Sequence, residues 1–433
     1  MLRADAASSG GRLRECPDCG LFQRIPPLPP GAAARCPRCG AVQQHHRIDS
    51  RVRATAMAVT GLLLFSVAAA MPLLDLQLGT RRSSADLLSG PLALDQAGML
   101  PLSIVVLATT LAVPLARFGA VLWVLLGLRL RQPPRYLFGL FRWVEHLRPW
   151  SMVEVFLLGL FVAYTKLGDM AHVQLGVAAY ALGALMLASV GVDAALDSET
   201  VWQALERAGA VARPAEDTRS GDVDVDTGPA RPAGLIGCHC CNLVSRADAA
   251  RAWCPRCGSA LHRRRRNSLG RTTALLLAGA LLYIPANILP VMTVVQLGAG
   301  YPNTILSGVR ELIDDGMWPL AGLVFFASIL VPVLKLLILT FLMITTRLGM
   351  RRRRRERTVL YRIVDSIGRW SMIDVFMVSI LTALVQWGRF ASVTPGPGVL
   401  AFCGVVILTM LAAGSFDPRL IWDAAARPPE AAR

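Results

Sequence analysis

Eight apolar runs divide the chain, each about as long as a helix needs to cross a ~30 Å hydrocarbon core. They fall near residues 54–74, 98–128, 151–168, 174–192, 272–295, 316–346, 371–388 and 398–414. The second and sixth are long. At ~1.5 Å per residue they would reach roughly 46 Å, so they must tilt, kink or project from the bilayer. Pro114 and Pro332 lie inside them and predict kinks. Pro285, Asn287 and Pro290 predict another in the fifth. Residues 136–150 carry Phe138, Phe141, Trp143 and Trp150 among Arg142, His146 and Arg148, the pattern of an interfacial amphipathic stretch.

The pattern repeats. Met71-Pro72 matches Leu289-Pro290, Ser89-Gly90 matches Ser307-Gly308 and Pro114 matches Pro332, all at an offset of 218. Trp150-Ser151-Met152 then matches Trp370-Ser371-Met372, and Asp197 with Trp202 matches Asp417 with Trp422, at an offset of 220. Four spans per copy is an even number, so both copies keep one orientation, as in a parallel repeat. The expected fold is an all-α polytopic membrane protein of two repeated four-helix units, each preceded by a small zinc ribbon. Its divisions are a ribbon at 1–50, a four-span unit at 51–207, an Ala-, Gly-, Pro- and Asp-rich linker at 208–236, a second ribbon at 237–262 and a second unit at 263–433.

Composition agrees: 54% of residues are hydrophobic and 17% charged, against about 25% charged in soluble domains. A soluble enzyme, a disordered chain and a secreted disulfide scaffold are thereby excluded. The net charge of +16 would suggest nucleic acid in a soluble protein. Here the arginines crowd between spans, at Arg47, Arg51 and Arg53, at Arg129, Arg131 and Arg135, at Arg263–Arg266, and at Arg347 and Arg351–Arg355. The positive-inside rule then puts both termini and the central segment in the cytosol, and no nucleic-acid partner is expected. Arg81 and Arg82 run against this trend. The polar first 50 residues show no cleavable signal, so the first span is expected to direct its own insertion.

Eight of the ten cysteines form four C-x-x-C pairs outside the apolar runs. Cys16-Pro-Asp-Cys19-Gly and Cys36-Pro-Arg-Cys39-Gly have the spacing of two knuckles closing four thiolates around one tetrahedral Zn²⁺. The second module is less regular: Cys238-His-Cys240-Cys241, then Cys254-Pro-Arg-Cys257-Gly. Cys238, Cys241, Cys254 and Cys257 are the expected ligands, with Cys240 and His239 as local alternatives. Asn242 stands where the other knuckles have glycine, a substitution the left-handed backbone tolerates. Two structural zinc ions are expected. A redox dithiol or iron–sulfur site would compete, but no βαβ pattern surrounds the pairs. Cys403 lies in the last span and reads as a small core residue.

Ionisable residues inside spans are costly and usually have a reason. Arg117 follows Pro114 by three residues, and Lys335 follows Pro332 likewise. Glu154 and Asp374 open the third spans of the two halves. Thr110 and Ser328 precede the cations by seven residues, Ser151 and Ser371 precede the acids by three, and Ser189 and Thr409 occupy equivalent fourth-span positions. Each half is therefore expected to gather a cation, an acid and three hydroxyls into one polar cluster. Arg117 with Glu154 reads as a packing ion pair or as a working site. Lys335 with Asp374 likewise reads as a packing pair or as a pair able to exchange protons, since lysine loses its proton more readily than arginine. No catalytic residue is assigned: the nucleotide-binding G-x-x-x-x-G-K-[ST], H-E-x-x-H and G-x-S-x-G are all absent from the sequence.

Two C-x-x-C pairs before each of two four-span halves, with Trp-Ser-Met-[Val/Ile]-[Glu/Asp] opening the third span, resemble the paraquat-inducible protein A family. The resemblance covers nearly the whole chain. It implies a bacterial inner-membrane protein that is not an enzyme and works with a periplasmic MCE-domain protein. Together they would load or extract phospholipid for a tunnel across the envelope. It also implies that the second-half cluster (Ser328, Lys335, Ser371, Asp374, Thr409) is the sensitive one, and that the eight ribbon cysteines bind zinc. Two other functions would fit the residues: a non-transporting anchor for the partner, and a small-molecule efflux or redox-stress protein.

Overall fold

The computed structural model describes residues 11–78, 81–168, 172–209, 234–246, 253–296, 299–386 and 391–423. Most of the expected linker (210–233) lies outside them.

Eight helical stretches are long and apolar enough to span a membrane. In the first half they are α1 (Ser50–Ala70), Leu100–Gly127, Leu137–Gly168 and α7 (Val177–Ala195), and in the second α9 (Ser268–Ile288), Trp318–Arg347, Arg354–Leu384 and α15 (Pro397–Ser415). The first and fourth spans of each half pack together, α1 on α7 and α9 on α15.

The long second and sixth spans share an interruption. Each joins a short helix, α3 (Leu100–Leu107) or α11 (Trp318–Phe325), to a longer one, α4 (Val113–Gly127) or α12 (Val331–Arg347). One π-helical turn separates them, Ala108–Ala112 in the first half and Phe326–Leu330 in the second. The cause is the proline just beyond. Pro114 and Pro332 have no N–H to donate, and their rings would strike the carbonyls of Thr110 and Ser328 four residues earlier. Widening the turn relieves the collision, so the kink expected from sequence takes the form of a π bulge.

The third spans are also broken. α5 (Leu137–Leu147) is the amphipathic stretch expected at 136–150. It is followed by a 3₁₀ turn (Arg148–Trp150) and α6 (Val153–Gly168). The second half repeats this as α13 (Arg354–Ile367), a 3₁₀ turn (Gly368–Met372) and α14 (Ile373–Leu384). α6 and α14 meet across the pseudo-twofold axis between the halves. There the repeat-equivalent Phe156 and Phe376 meet edge to face at 5.5 Å. Gly159 permits the approach, since a Cβ there would lie 3.0 Å from the Phe376 Cβ and 3.2 Å from the Ile373 carbonyl. α14 is consequently buried along nearly all of its length.

At the pole away from the cysteine modules, segments expected to be loops form sheets. β5 (Leu74–Leu78) pairs antiparallel with β6 (Arg81–Ala85) and β7 (His172–Leu175), and β10 (Met292–Gln296) with β11 (Ala299–Asn303) and β12 (Ala391–Pro395). Two short amphipathic helices follow the hairpins, α2 (Ser89–Gln96) and α10 (Ile305–Asp314).

Candidate functional site

The cysteine modules are built alike. In the first, β1 (Arg12–Glu15) pairs with β2 (Phe22–Ile25) and β3 (Ala33–Arg35) with β4 (Val42–His45), and in the second β8 (Leu235–Gly237) pairs with β9 (Val244–Arg246). Each C-x-x-C turns back beneath its thiols. The N–H of Gly20, Gly40, Asn242 and Gly258 donates to the carbonyl of Cys16, Cys36, Cys238 and Cys254 at 2.9–3.0 Å. All four of these residues have positive φ, Asn242 at 56° beside the three glycines.

The thiols of Cys16, Cys19, Cys36 and Cys39 lie within 4.8 Å of one another, as do those of Cys238, Cys241, Cys254 and Cys257. The closest sulfur pairs are 3.4–3.6 Å apart. A tetrahedral site with Zn–S of ~2.3 Å needs sulfurs about 3.8 Å apart, whereas a disulfide needs ~2.05 Å. The buried tetrads therefore fit a metal ion. Neither alternative ligand joins the second one. His239 accepts from Arg419 at 2.7 Å, and Cys240 stands outside the four. Burial, with Arg419 beside it, lowers the His239 pKa to about 4, which keeps its imidazole a neutral acceptor.

The modules dock crosswise. The N-terminal one sits on the second half: Arg38 stacks over Trp422 at 4.4 Å, and Arg362 of α13 reaches Asp18 at 2.6 Å and both the carbonyl and the sulfur of Cys39 at 3.3 Å. The second module sits on the first half, where Arg256 lies over Trp202 at 5.7 Å and Arg142 of α5 approaches the Cys257 carbonyl at 3.4 Å. Arg38 and Arg256 are repeat equivalents, as are Trp422 and Trp202, and Arg362 and Arg142. The sequence pattern suggested that each module serves the spans that follow it. In the fold each packs its cysteines against the other half, while Arg12 and Arg14 also reach Glu199 and His239 reaches Arg419 in their own.

Buried ion pairs tie the modules to the ends of both halves. Glu199 of α8 (Ser198–Arg207) receives Arg14 at 2.6 Å and Arg256 at 3.3 Å. Its repeat equivalent, Arg419, receives Glu15 at 3.1 Å and Asp417 at 2.9 Å. Equivalent positions thus carry opposite signs, and Glu199 joins both modules to the first half. Burial alone would raise the Glu199 pKa, but Arg14 and Arg256 outweigh it and hold the carboxyl below its ordinary range.

Inside the spans, Thr110, Arg117, Ser151, Ser189, Ser328, Lys335, Ser371, Asp374 and Thr409 are all buried by protein. Glu154 is half-buried. The expected pairings do not form. Arg117 binds Asp193 of α7, together with Ser189 at 3.5 Å, while Arg148 reaches the same carboxylate at 3.2 Å. Ser189 and Asp193 are four residues apart on one helical face, which brings the acid within reach of Arg117 in place of Glu154. Asp193 was not singled out from the sequence, and its repeat position is Ala413.

In the second half Lys335 donates to the Gly368 carbonyl at 2.6 Å rather than pairing with Asp374. The 3₁₀ turn before α14 presents that carbonyl to the ammonium. Both Asp374 oxygens are buried with no hydrogen-bond partner among the described residues, and so are the Ser328, Ser371 and Ser379 hydroxyls. Asp374 faces a cavity of about 30 Å³, also lined by Lys166, Asn303, Thr304 and Met377 on the side of the sheets. Lys166 of α6 makes an ion pair with Glu311 of α10 at 3.5 Å, joining the two halves. Thr110 and Thr409 bond the carbonyls of Val106 and Val406 in their own helices.

Of the 45 basic residues only two are lysines, Lys166 and Lys335. Lys166 lines the Asp374 cavity, and Lys335 holds the turn that precedes α14.

Comparison with known proteins finds the paraquat-inducible protein A family model matching residues 52–206 and 269–426, once per half. The intermembrane transport protein PqiA of Escherichia coli K12 is 35% identical over 418 residues, covering 96% of each chain. The lipophilic envelope-spanning tunnel protein A of the same strain is 33% identical over 414 residues, covering 96% of this chain and 92% of that one. A probable intermembrane transport protein of Haemophilus influenzae is 26% identical over 435 residues, covering 98% of each. No solved structure matches.

Proposed function

The chain belongs to the paraquat-inducible protein A family, and from that premise we propose that it is the inner-membrane component of a phospholipid transport system between the inner and outer membranes. It loads or extracts lipid for a periplasmic MCE-domain partner, with both termini and both zinc-bound modules in the cytosol. The second-half cluster is its working site. The relatives' names speak of intermembrane transport and an envelope-spanning tunnel.

The observation that carries this reading is the unpartnered Asp374. An acid held only for packing should look like Asp193, which two arginines neutralise. A carboxylate within a span costs about 3 kcal/mol, and Asp374 makes no ion pair among the described residues, with the Ser328 hydroxyl and Lys166 as its partial support. Such a group suits a step in which it gains a partner or a proton. Its cavity lies on the side of the sheets, the side this reading turns toward the partner, which suits a group that answers to events there. The choice of lysine at Lys166, which lines that cavity, is consistent, because elsewhere the chain uses arginine for permanent charge, Lys335 apart.

A place for lipid lies next to the cluster. A groove of about 770 Å³ between α10 and α11 is lined by Leu306, Val309, Ile313, Trp318 and Phe325, with Arg310 beside it. Its size and lining suit acyl chain, and the guanidinium suits a phosphate. The zinc ions contribute by holding the modules folded, through the eight tetrad cysteines.

Mass spectrometry of the purified full chain tests the proposal. Phospholipid should remain bound through detergent washing and fall severalfold in Trp318→Ala combined with Arg310→Ala. No retained phospholipid in the unaltered protein would overturn it.

A further inference from the structure

We infer that Arg362 is a positioning residue, through which the metal-bound N-terminal module holds the Gly368 carbonyl against Lys335 in the opposite half. The inference rests on the role proposed above for Lys335, but its test does not require transport.

The connection is short and continuous. Arg362 is fixed at one end by Asp18 and by the carbonyl and sulfur of Cys39, one of the tetrad. Outer-shell donors of this kind fix a ligand and are fixed by it in turn. At the other end α13 runs straight into the 3₁₀ turn at Gly368, six residues on, or ~9 Å of helix. A second hold acts on the same helix. Arg38, between Cys36 and Cys39, stacks on Trp422, whose indole N–H donates to Thr358 of α13 at 3.0 Å. The module thus grips α13 at two points, one turn apart.

Lys335 depends on that helix. Its ammonium is buried, and the Gly368 carbonyl is its one hydrogen-bond acceptor among the described residues. A shift of the turn by one ångström would take this bond out of range. The first half is wired differently. Arg142 makes the equivalent approach to Cys257, but Arg117 is held by the Asp193 side chain and not by a backbone carbonyl of the turn. The metal state of the N-terminal module therefore bears on the working cation, and that of the second module does not.

The chain's two lysines make the test specific. Reductive methylation of the purified full chain, read peptide by peptide, reports Lys335 with Lys166 as internal reference. Arg362→Ala is expected to raise Lys335 labelling relative to Lys166 about tenfold while both metal ions remain bound, as checked by elemental analysis. Cys36→Ser should do the same with one ion lost. Cys254→Ser and Arg142→Ala should leave the ratio unchanged. Arg362→Lys keeps the pairing with Asp18 and should recover part of the protection. An unaltered ratio in both Arg362→Ala and Cys36→Ser would overturn the inference. So would an equal rise in Cys254→Ser and Arg142→Ala, since that is what general loosening produces.

Discussion

Asp374 and Asp193 are both acids near a buried cation, and their surroundings assign them opposite roles. Asp193 neutralises Arg117 and Arg148, so Asp193→Asn leaves Arg117 poorly compensated within the protein. Breaking such a pair should cost on the order of 2 kcal/mol, measured as lowered thermal stability in detergent. Asp374 makes no ion pair among the described residues. Asp374→Asn should therefore leave stability unchanged or slightly raised while abolishing outer-membrane barrier function in cells. Reduced stability in Asp374→Asn with function retained would make it a packing residue. The residue types of this cluster were legible in the sequence, because an ionisable side chain among apolar neighbours stands out. Their partners were not. Lys335 found a backbone carbonyl, which side-chain patterns do not display, and Arg117 found an acid with no counterpart in the other repeat.

The spanning helices could be read directly, since hydrocarbon thickness sets the length of each run. The sheets were missed although Leu74-Asp75-Leu76-Gln77-Leu78 alternates as a strand should. β6 and β11 follow across two-residue gaps, Gly79-Thr80 and Leu297-Gly298, a signal passed over, whereas β7 and β12 come from loops nearly a hundred residues away that no local turn announces. The prolines were read as kinks, and the outcome was a π turn that places Thr110 and Ser328 at the interruption. At this scale the contact of α6 with α14 is the joint between the halves. Gly159→Val would drive its side chain into Phe376 and the Ile373 carbonyl. It should lower thermal stability by several degrees. Gly183→Ala, where a Cβ meets nothing within 4 Å, serves as the control.

The repeat was plain in the sequence, but the exchange of cysteine modules was not. Each module precedes one set of spans, and nothing in that order announces a crossed packing. The opposite signs of Glu199 and Arg419 gain meaning only once the fold brings Arg14, Arg256 and Glu15 to them. Reversing both, as Glu199→Arg with Arg419→Glu, should disrupt docking of the two modules and raise their susceptibility to protease. Wild-type resistance in that double variant would show that charge does not hold the modules in place. The two halves, alike in helices and sheets, have thus come to differ: the first holds a closed ion pair, the second an open acid and a lysine held by a backbone carbonyl.

The most direct test of that division follows labelled phospholipid between the membranes of cells that depend on this protein. Lys335→Ala combined with Asp374→Asn should abolish the exchange. Arg117→Met combined with Asp193→Leu, which removes the closed pair as a unit, should preserve most of it. Undiminished exchange in the first variant would contradict the proposed role and leave the protein as an anchor for its partner.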